Sequence, residues 1–271
     1  MSYPKKRSDY LIFSSIGDSS NISCWLGDRN FDLWLAYYGD DKSDKFSSDC
    51  EFYIRKKGAK FPNFYHLYGQ LKDVVHQYKY IMIADDDLVI SAGELNKFFD
   101  IIDEQQLSLA QPAFDLCGKV SHKVTKMHSL SKLRYTNFVE VTCPAFKTTY
   151  LKKFMNVYDE EIVGWGADWW FSSMVEELDG FRNTIAIVDQ VTCLNPLDST
   201  KKNGREIDRI QNTETRQQVW SKVKQHYGLN IEEVARQKQR ILSFDPVLLL
   251  KYTKMRAGWI ALRLLERINP R

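Results

Sequence analysis

The sequence predicts an α/β fold, a mainly parallel central sheet flanked by helices, followed by a C-terminal helical extension. Three observations carry this expectation. Short apolar runs of strand type alternate with segments of helical spacing up to about Asn195, the pattern of a sheet built by crossover connections. The run Tyr80 to Ala84 is too short and too apolar for a solvated helix, and it ends on Asp85, Asp86 and Asp87. Beyond Asn195 the chain turns polar and basic, and its spacing becomes helical. The expected division is residues 1–198 for the α/β unit and 199–271 for the extension.

Taken in order, Asp9 to Ser15 and Phe31 to Tyr38 are apolar-aromatic runs bounded by Gly, Asp and Ser, and both read as strands. A short third strand is expected near Ala59 to Phe61. Phe64 to Gln77 places Phe64, Leu67, Leu71, Val74 and Val75 at helical spacing. After the strand Tyr80 to Ala84, Ala92 to Gln106 forms an amphipathic helix through Leu95, Phe98, Phe99 and Ile102. Leu109 to Pro112 and Phe138 to Cys143 read as strands, and Thr148 to Tyr158 as a short helix. A Gly-rich turn around Gly164 and Gly166 feeds another helix, and the β-branched run Thr184 to Val191 is the last strand. Glu206 to Tyr227 and Ile231 to Leu242 read as helices separated by Gly228, with a further segment after Pro246.

The bulk properties narrow the classes. The chain has 271 residues, 44% hydrophobic and 27% charged, as expected of a globular protein rather than a disordered one. A net charge of +3 is too small to imply a nucleic-acid partner. The five cysteines are scattered without a C-x-x-C pair, which argues against a zinc knuckle or a disulfide framework. No apolar h-region follows the charged N-terminus and no window of about 18 apolar residues occurs, so the expected location is the cytoplasm.

Two constellations bear chemistry. Three adjacent carboxylates at a strand end repel one another and resist desolvation unless a cation sits there. In extended chain Asp85 and Asp87 point the same way and Asp86 the other, so the first and third can converge on Mg2+ or Mn2+. A solvated acidic turn leading into the next helix is the plainer alternative. The second constellation is Gly164-Trp165-Gly166-Ala167-Asp168-Trp169-Trp170. Its glycines allow close backbone approach to a ligand, Trp165 offers a flat face for a sugar ring, and Asp168 beside it suits a general base. The alternative is an aromatic-rich helix start with Asp168 favoured by the helix dipole.

The segments "ADDDL", "QPAFD", "SHKVT", "VEVTCPAF", "GWGAD" and "IVDQ" occur in this order between residues 9 and 196. That order resembles the domain of unknown function 707 family, which is itself similar to glycosyltransferases of the GT-A fold. The resemblance implies a GT-A-like, Rossmann-type catalytic domain that binds a nucleotide sugar, UDP-linked by expectation, and a glycan or lipid-linked glycan acceptor. It implies metal ligation by Asp85 and Asp87, deprotonation of the acceptor by Asp168 and sugar stacking on Trp165, with Gly166, His122 and Glu140 also at the sugar. Where the family carries a His as a further metal ligand, this chain has Asn195, a poorer donor. In this architecture Ser14, Ser15 and Gly17 lie where base and ribose bind, Asp85 and Asp86 face the nucleotide, and the loop with Lys201, Lys202 and Arg205 can close over the diphosphate.

The expected activity is therefore inverting, divalent-metal-dependent glycosyl transfer, for example in polysaccharide synthesis. A metal-dependent nucleotidyl- or phosphotransferase and a non-catalytic carbohydrate-binding protein are the alternatives; a P-loop is excluded because no G-x-x-x-x-G-K-[ST] occurs. The segment 246–271 carries six Lys/Arg against one Glu. Its stripe Leu248, Tyr252, Met255, Trp259 and Leu262 suits either a membrane surface or the protein's own body.

Overall fold

The first two apolar runs become β1 (Tyr10–Ile16) and β2 (Phe31–Tyr37), joined by β3 (Phe52–Arg55) at the sheet edge. The computed structural model describes residues 4–197 and 206–268. Helix α1 (Lys60–Val75) leads into β4 (Tyr80–Asp85), and α2 (Ala92–Glu104), capped by the Ser91 hydroxyl, leads into β5 (Leu109–Phe114). Then follow β6 (Ser131–Thr136), β7 (Ala145–Lys147), α3 (Thr148–Met155), α4 (Ala167–Leu178) and β8 (Ile185–Cys193). The C-terminal part contains α5 (Glu206–Ile210), α6 (Thr213–His226), β9 (Gln237–Leu242) and α7 (Pro246–Ile268).

The strands form one sheet in the order β3-β2-β1-β4-β7-β5-β8-β6-β9. β3, β2, β1 and β4 pair in parallel, β5 pairs in parallel with β8, and β7 and β6 run the opposite way. Alternate residues of each strand feed two cores: Leu11, Phe13, Ile81 and Ile83 face α1, α3 and α4, whereas Ile12, Tyr80, Met82 and Ala84 face α2. Both faces are covered, which is why these strands read as continuous apolar runs. The chain leaves the sheet in opposite directions from β1 and β4, so the C-terminal ends of these neighbours open a crevice.

Several elements differ from expectation, each for a local reason. Ala59 to Phe61 is the start of α1 rather than a strand, and β3 lies earlier in the chain. Pro62 is tolerated there because first-turn amides have no partner within the helix. Phe138 to Cys143 is irregular; it runs beside β4, with the Ile83 and Asp85 amides donating to the Pro144 and Thr142 carbonyls. Ile231 to Leu242 is not helical: its second half is β9, paired antiparallel with β6, an alternating polar strand that lacks a sequence signature. Lys238 and Arg240 on this outer strand discourage further pairing. The extension thus contributes to the central sheet. No helix among the described residues is long and apolar enough to cross a membrane.

Behind the crevice, the buried Arg134 guanidinium holds the fully buried Asp189 with bonds of 2.8 and 2.9 Å and also donates to the Val124 and Lys126 carbonyls. The His128 amide completes the Asp189 shell at 2.8 Å. The pair ties the "IVDQ" strand to the loop that carries His122. Arg134→Met strands a buried carboxylate and is expected to lower unfolding free energy by about 3–5 kcal/mol. Urea denaturation checks this; a loss under about 1 kcal/mol would mean the pair is dispensable.

Candidate active site

The strand ends open into a cleft of about 900 Å³. One wall comes from β1, β4 and the start of α1, the other from the irregular segment 139–143 and the Gly-Trp-Gly turn. Ser15, Gly17, Asp85, Asp86, Asp87, His122, Glu140, Trp165, Gly166, Asp168 and Asn195 all line it. The structure therefore brings together residues spread over almost two hundred positions. Ser14 is an exception: it is fully buried in β1, donates to the Ala84 carbonyl at 2.9 Å, and does not reach the cleft. Lys201, Lys202 and Arg205 lie outside the described residues.

The three aspartates have separate surroundings. Asp85 accepts an ion pair from the Lys60 ammonium at 2.7 Å, and that ammonium also donates to the Thr142 carbonyl at 2.7 Å. Asp86 stands in the turn just past β4 and takes the Gly17 amide at 2.8 Å. Its carboxyl group lies deep although the residue as a whole is partly accessible, and burial pushes its pKa up to about 7. The backbone of Asp86 and Asp87 accepts from the Asn21 amide at 2.7 Å and the Asn21 side chain at 2.6 Å, so the loop after β1 is stitched onto the triplet. The Ser15 hydroxyl accepts from Asn63 at 2.9 Å.

On the opposite wall two carboxyl groups are buried. Asp168, in the first turn of α4, accepts the Trp169 amide at 3.1 Å and the Val141 amide at 3.4 Å. Burial outweighs these bonds and raises its pKa to about 6. Glu140 accepts the Thr125 hydroxyl at 2.7 Å and the His122 amide at 3.2 Å; burial, with Asp168 adding to it, raises its pKa to about 7. The Gln111 side chain takes the Glu140 backbone amide. Three of the ordered motifs thus converge on Glu140: "QPAFD" through Gln111, "SHKVT" through Thr125, and "VEVTCPAF" through Glu140 itself. The His122 ring packs edge-on against Trp169 at 5.5 Å, and burial lowers its pKa, so it is neutral at neutral pH.

The glycines of the Gly-Trp-Gly turn line the cleft and are also required by packing behind it. Gly166 has φ of 91°, and a Cβ there would overlap the Trp220 ring of α6. A Cβ on Gly164 would meet Ile207 at 2.8 Å. The turn is pressed between the cleft and the C-terminal helices, and Trp165 is left 44% exposed at the rim. Arg216 is consumed locally, donating to Ile207, Gln211, Asp208 and Thr213.

The side chains at the cleft form no closed cage for a divalent ion. Among the described residues no group of three or more His, Cys, Asp or Glu is placed to share one ion. Of the expected ligands, Asp85 is paired with an ammonium, Asp87 lines the cleft, and Asn195 offers only a neutral oxygen. Lys60 does not stand out in the sequence, where Ala59 to Phe61 reads as a strand. A lysine in the first turn of a helix, where the dipole disfavours cations, was the available signal.

Residues 64–137 match the model of a family described as Protein of unknown function (DUF707), a span that includes "ADDDL", "QPAFD" and "SHKVT". No curated protein matches the sequence. Among solved structures, S. aureus TarS 1-349 in complex with UDP-GlcNAc is similar with a TM-score of 0.53 at 12% identity, covering 92% of this chain and 72% of that one. GalNAc-T7 with UDP, GalNAc and Mn2+ is similar with a TM-score of 0.54 at 7% identity, covering 80% and 48%. The fold is GT-A-like. The chain spans 44% of the length of a longer S. aureus TarS structure.

The raised carboxyl pKa values of Asp168 and Glu140, like that of Asp86, make stability depend on pH. A carboxyl whose pKa is higher folded than unfolded favours folding below its unfolded value, and this contribution is lost as pH rises through the folded value. For Asp168 that window runs from 3.8 to about 6, and for Glu140 from 4.5 to about 7. Unfolding free energy is expected to fall across it, and less steeply in Asp168→Asn. Urea curves at several pH values check this; an unchanged slope in the variant would contradict the raised Asp168 pKa.

Proposed function

We propose that the protein is an inverting glycosyltransferase that moves a sugar from a nucleotide-sugar donor, UDP-linked, to a hydroxyl of a glycan or lipid-linked glycan. The single observation that carries this reading is the placement of Asp168: a buried carboxyl with a pKa near 6, beside an exposed tryptophan, in a cleft shared with the strand ends. The GT-A-like fold supports the reading, as do the UDP-GlcNAc in the TarS structure and the UDP in the GalNAc-T7 structure.

The chemistry follows from the two walls. The nucleotide lies along the β1 and β4 ends, near Ser15, Gly17 and Asp86, and the acceptor sugar rests against Trp165. Ionised Asp168 takes the proton of the acceptor hydroxyl as its oxygen bonds to the anomeric carbon. The bond from that carbon to the diphosphate breaks on the opposite face, and the nucleoside diphosphate leaves with the electron pair. One base opposite one leaving group gives inversion. Glu140 and neutral His122 stand beside Asp168 as hydrogen-bonding partners for sugar hydroxyls.

The same reading places the acceptor at a membrane surface on the cytoplasmic side, through α7. Its sequence stripe is used internally: Leu248 and Met255 are buried, Tyr252 packs on the core, and the Met255 carbonyl accepts from the Cys117 thiol at 3.4 Å. A second apolar set points outward instead, with Phe244 84% and Val247 74% exposed, and Leu242, Leu249 and Leu250 beside them. Lys254 and Arg256 lie exposed on the same helix. An apolar set flanked by cations suits an anionic lipid surface.

Incubation with a UDP-sugar panel and glycan acceptors, followed by product analysis, tests the activity. The rate is expected to rise with pH through about 6 as Asp168 ionises, and Asp168→Asn to lose at least about 100-fold. A variant retaining most of the rate would remove Asp168 as the base. Flotation with anionic liposomes tests the surface: the full chain is expected to float, and Phe244→Ser/Val247→Ser/Leu250→Ser to remain behind. Equal flotation of both would place membrane contact elsewhere.

A further inference from the structure

We propose that the Lys60 ammonium, not a divalent ion, is the cation that receives the nucleotide diphosphate in this cleft. The inference rests on the reading of the cleft as a nucleotide-sugar site and names the group that neutralises the departing charge. Lys60 is only 7% exposed, yet it lines the cleft at the ends of β1 and β4. Burying an ammonium is costly unless it is paired, and here it is fixed by Asp85 and the Thr142 carbonyl. Those two bonds use two of its three N–H donors, which leaves one for a phosphate oxygen.

Its location strengthens the case. Lys60 opens the 16-residue helix α1, whose first turn carries no acid, so the positive helix end and the ammonium add at one point. Two of the other cations that line the cleft are already engaged. Lys57 is exposed and paired with Asp40 at 2.7 Å, and both terminal nitrogens of Arg216 are bonded within its own loop. A divalent ion at Asp85 would share that carboxylate with an ammonium already in contact with it, and among the described residues no group of three or more acidic, imidazole or thiol ligands is placed to hold one. A lysine is a sufficient phosphate ligand as a point charge.

The roles of Asp85 under the two schemes have opposite consequences. As a metal ligand it is indispensable to diphosphate binding. As the resting partner of Lys60 it competes with the diphosphate, so its removal frees the ammonium.

Calorimetry of UDP and UMP binding to the full chain, in EDTA and in saturating Mn2+, separates these. Expected are UDP binding in EDTA, a loss of about tenfold or more in Lys60→Gln with UMP affected less, partial recovery in Lys60→Arg, and Asp85→Asn binding UDP at least as tightly as wild type. Thermal melts confirm that each variant is folded, and Asp85→Asn decides the matter if Lys60→Gln is not. UDP binding only with Mn2+, or its loss in Asp85→Asn, overturns the role of Lys60 and leaves the glycosyltransferase reading intact. Undiminished UDP binding by folded Lys60→Gln in EDTA also overturns it. Absence of binding by UDP, GDP, CDP and ADP under both conditions overturns the nucleotide-sugar reading itself.

Discussion

The parallel pairing of β1 with β4, Tyr10 against Tyr80 through Ser15 against Asp85, is the constraint on which the cleft depends. It brings two chain segments that leave the sheet in opposite directions to the same level. The loop after β1 then has amides to satisfy just where the acid triplet has carboxylates and carbonyls to offer. Gly17 to Asp86 and Asn21 to Asp86 are the result. A one-residue slip in this register would exchange the two faces of β4 and break these contacts.

Burial of charge is handled differently on the two walls. The β1–β4 wall compensates with a cation, since Lys60 enters from α1 and meets Asp85. The opposite wall compensates Asp168 and Glu140 only with amides and a hydroxyl, bonds too few to overcome desolvation. Their pKa values rise accordingly, toward the range in which a carboxylate exchanges protons readily near neutrality. On the proposed reading, one cleft would then receive the donor's charge at one wall and the acceptor's proton at the other.

That second wall is held from behind by the C-terminal helices. Trp220 sits beneath Gly166 so closely that only glycine fits, and Ile207 lies against Gly164. The Gly-Trp-Gly turn is consequently a joint between the sheet and α5 and α6, and Trp165 is directed to the rim because both of its neighbours are pinned. Arg134 and Asp189 perform the equivalent service for the loop of His122.

Much of the fold was legible in the sequence, because buried parallel strands must be apolar on both faces and amphipathic helices must show their period. β1, β2, β4, β5, α2 and β8 follow from those two rules. Asp85, Asp87 and Asp168 stand out as well, since acids after a buried strand or amid tryptophans are chemically conspicuous, whereas Glu140 was marked only by the family resemblance. What only the tertiary structure decided is what each acid faces. Lys60 lies 25 positions before Asp85 (85 − 60), and Gln111 lies 29 before Glu140. No local pattern relates them, because the contact is made by strand order rather than spacing. The same holds for β9, a polar segment that becomes a strand only because β6 presents an open edge. Ser14 stays out of the cleft although its neighbour Ser15 lines it, because its hydroxyl is buried on the other face and bonded to the Ala84 carbonyl. Sequence determined which residues carry chemistry and which elements bear them; the register and order of the sheet decided which of them meet.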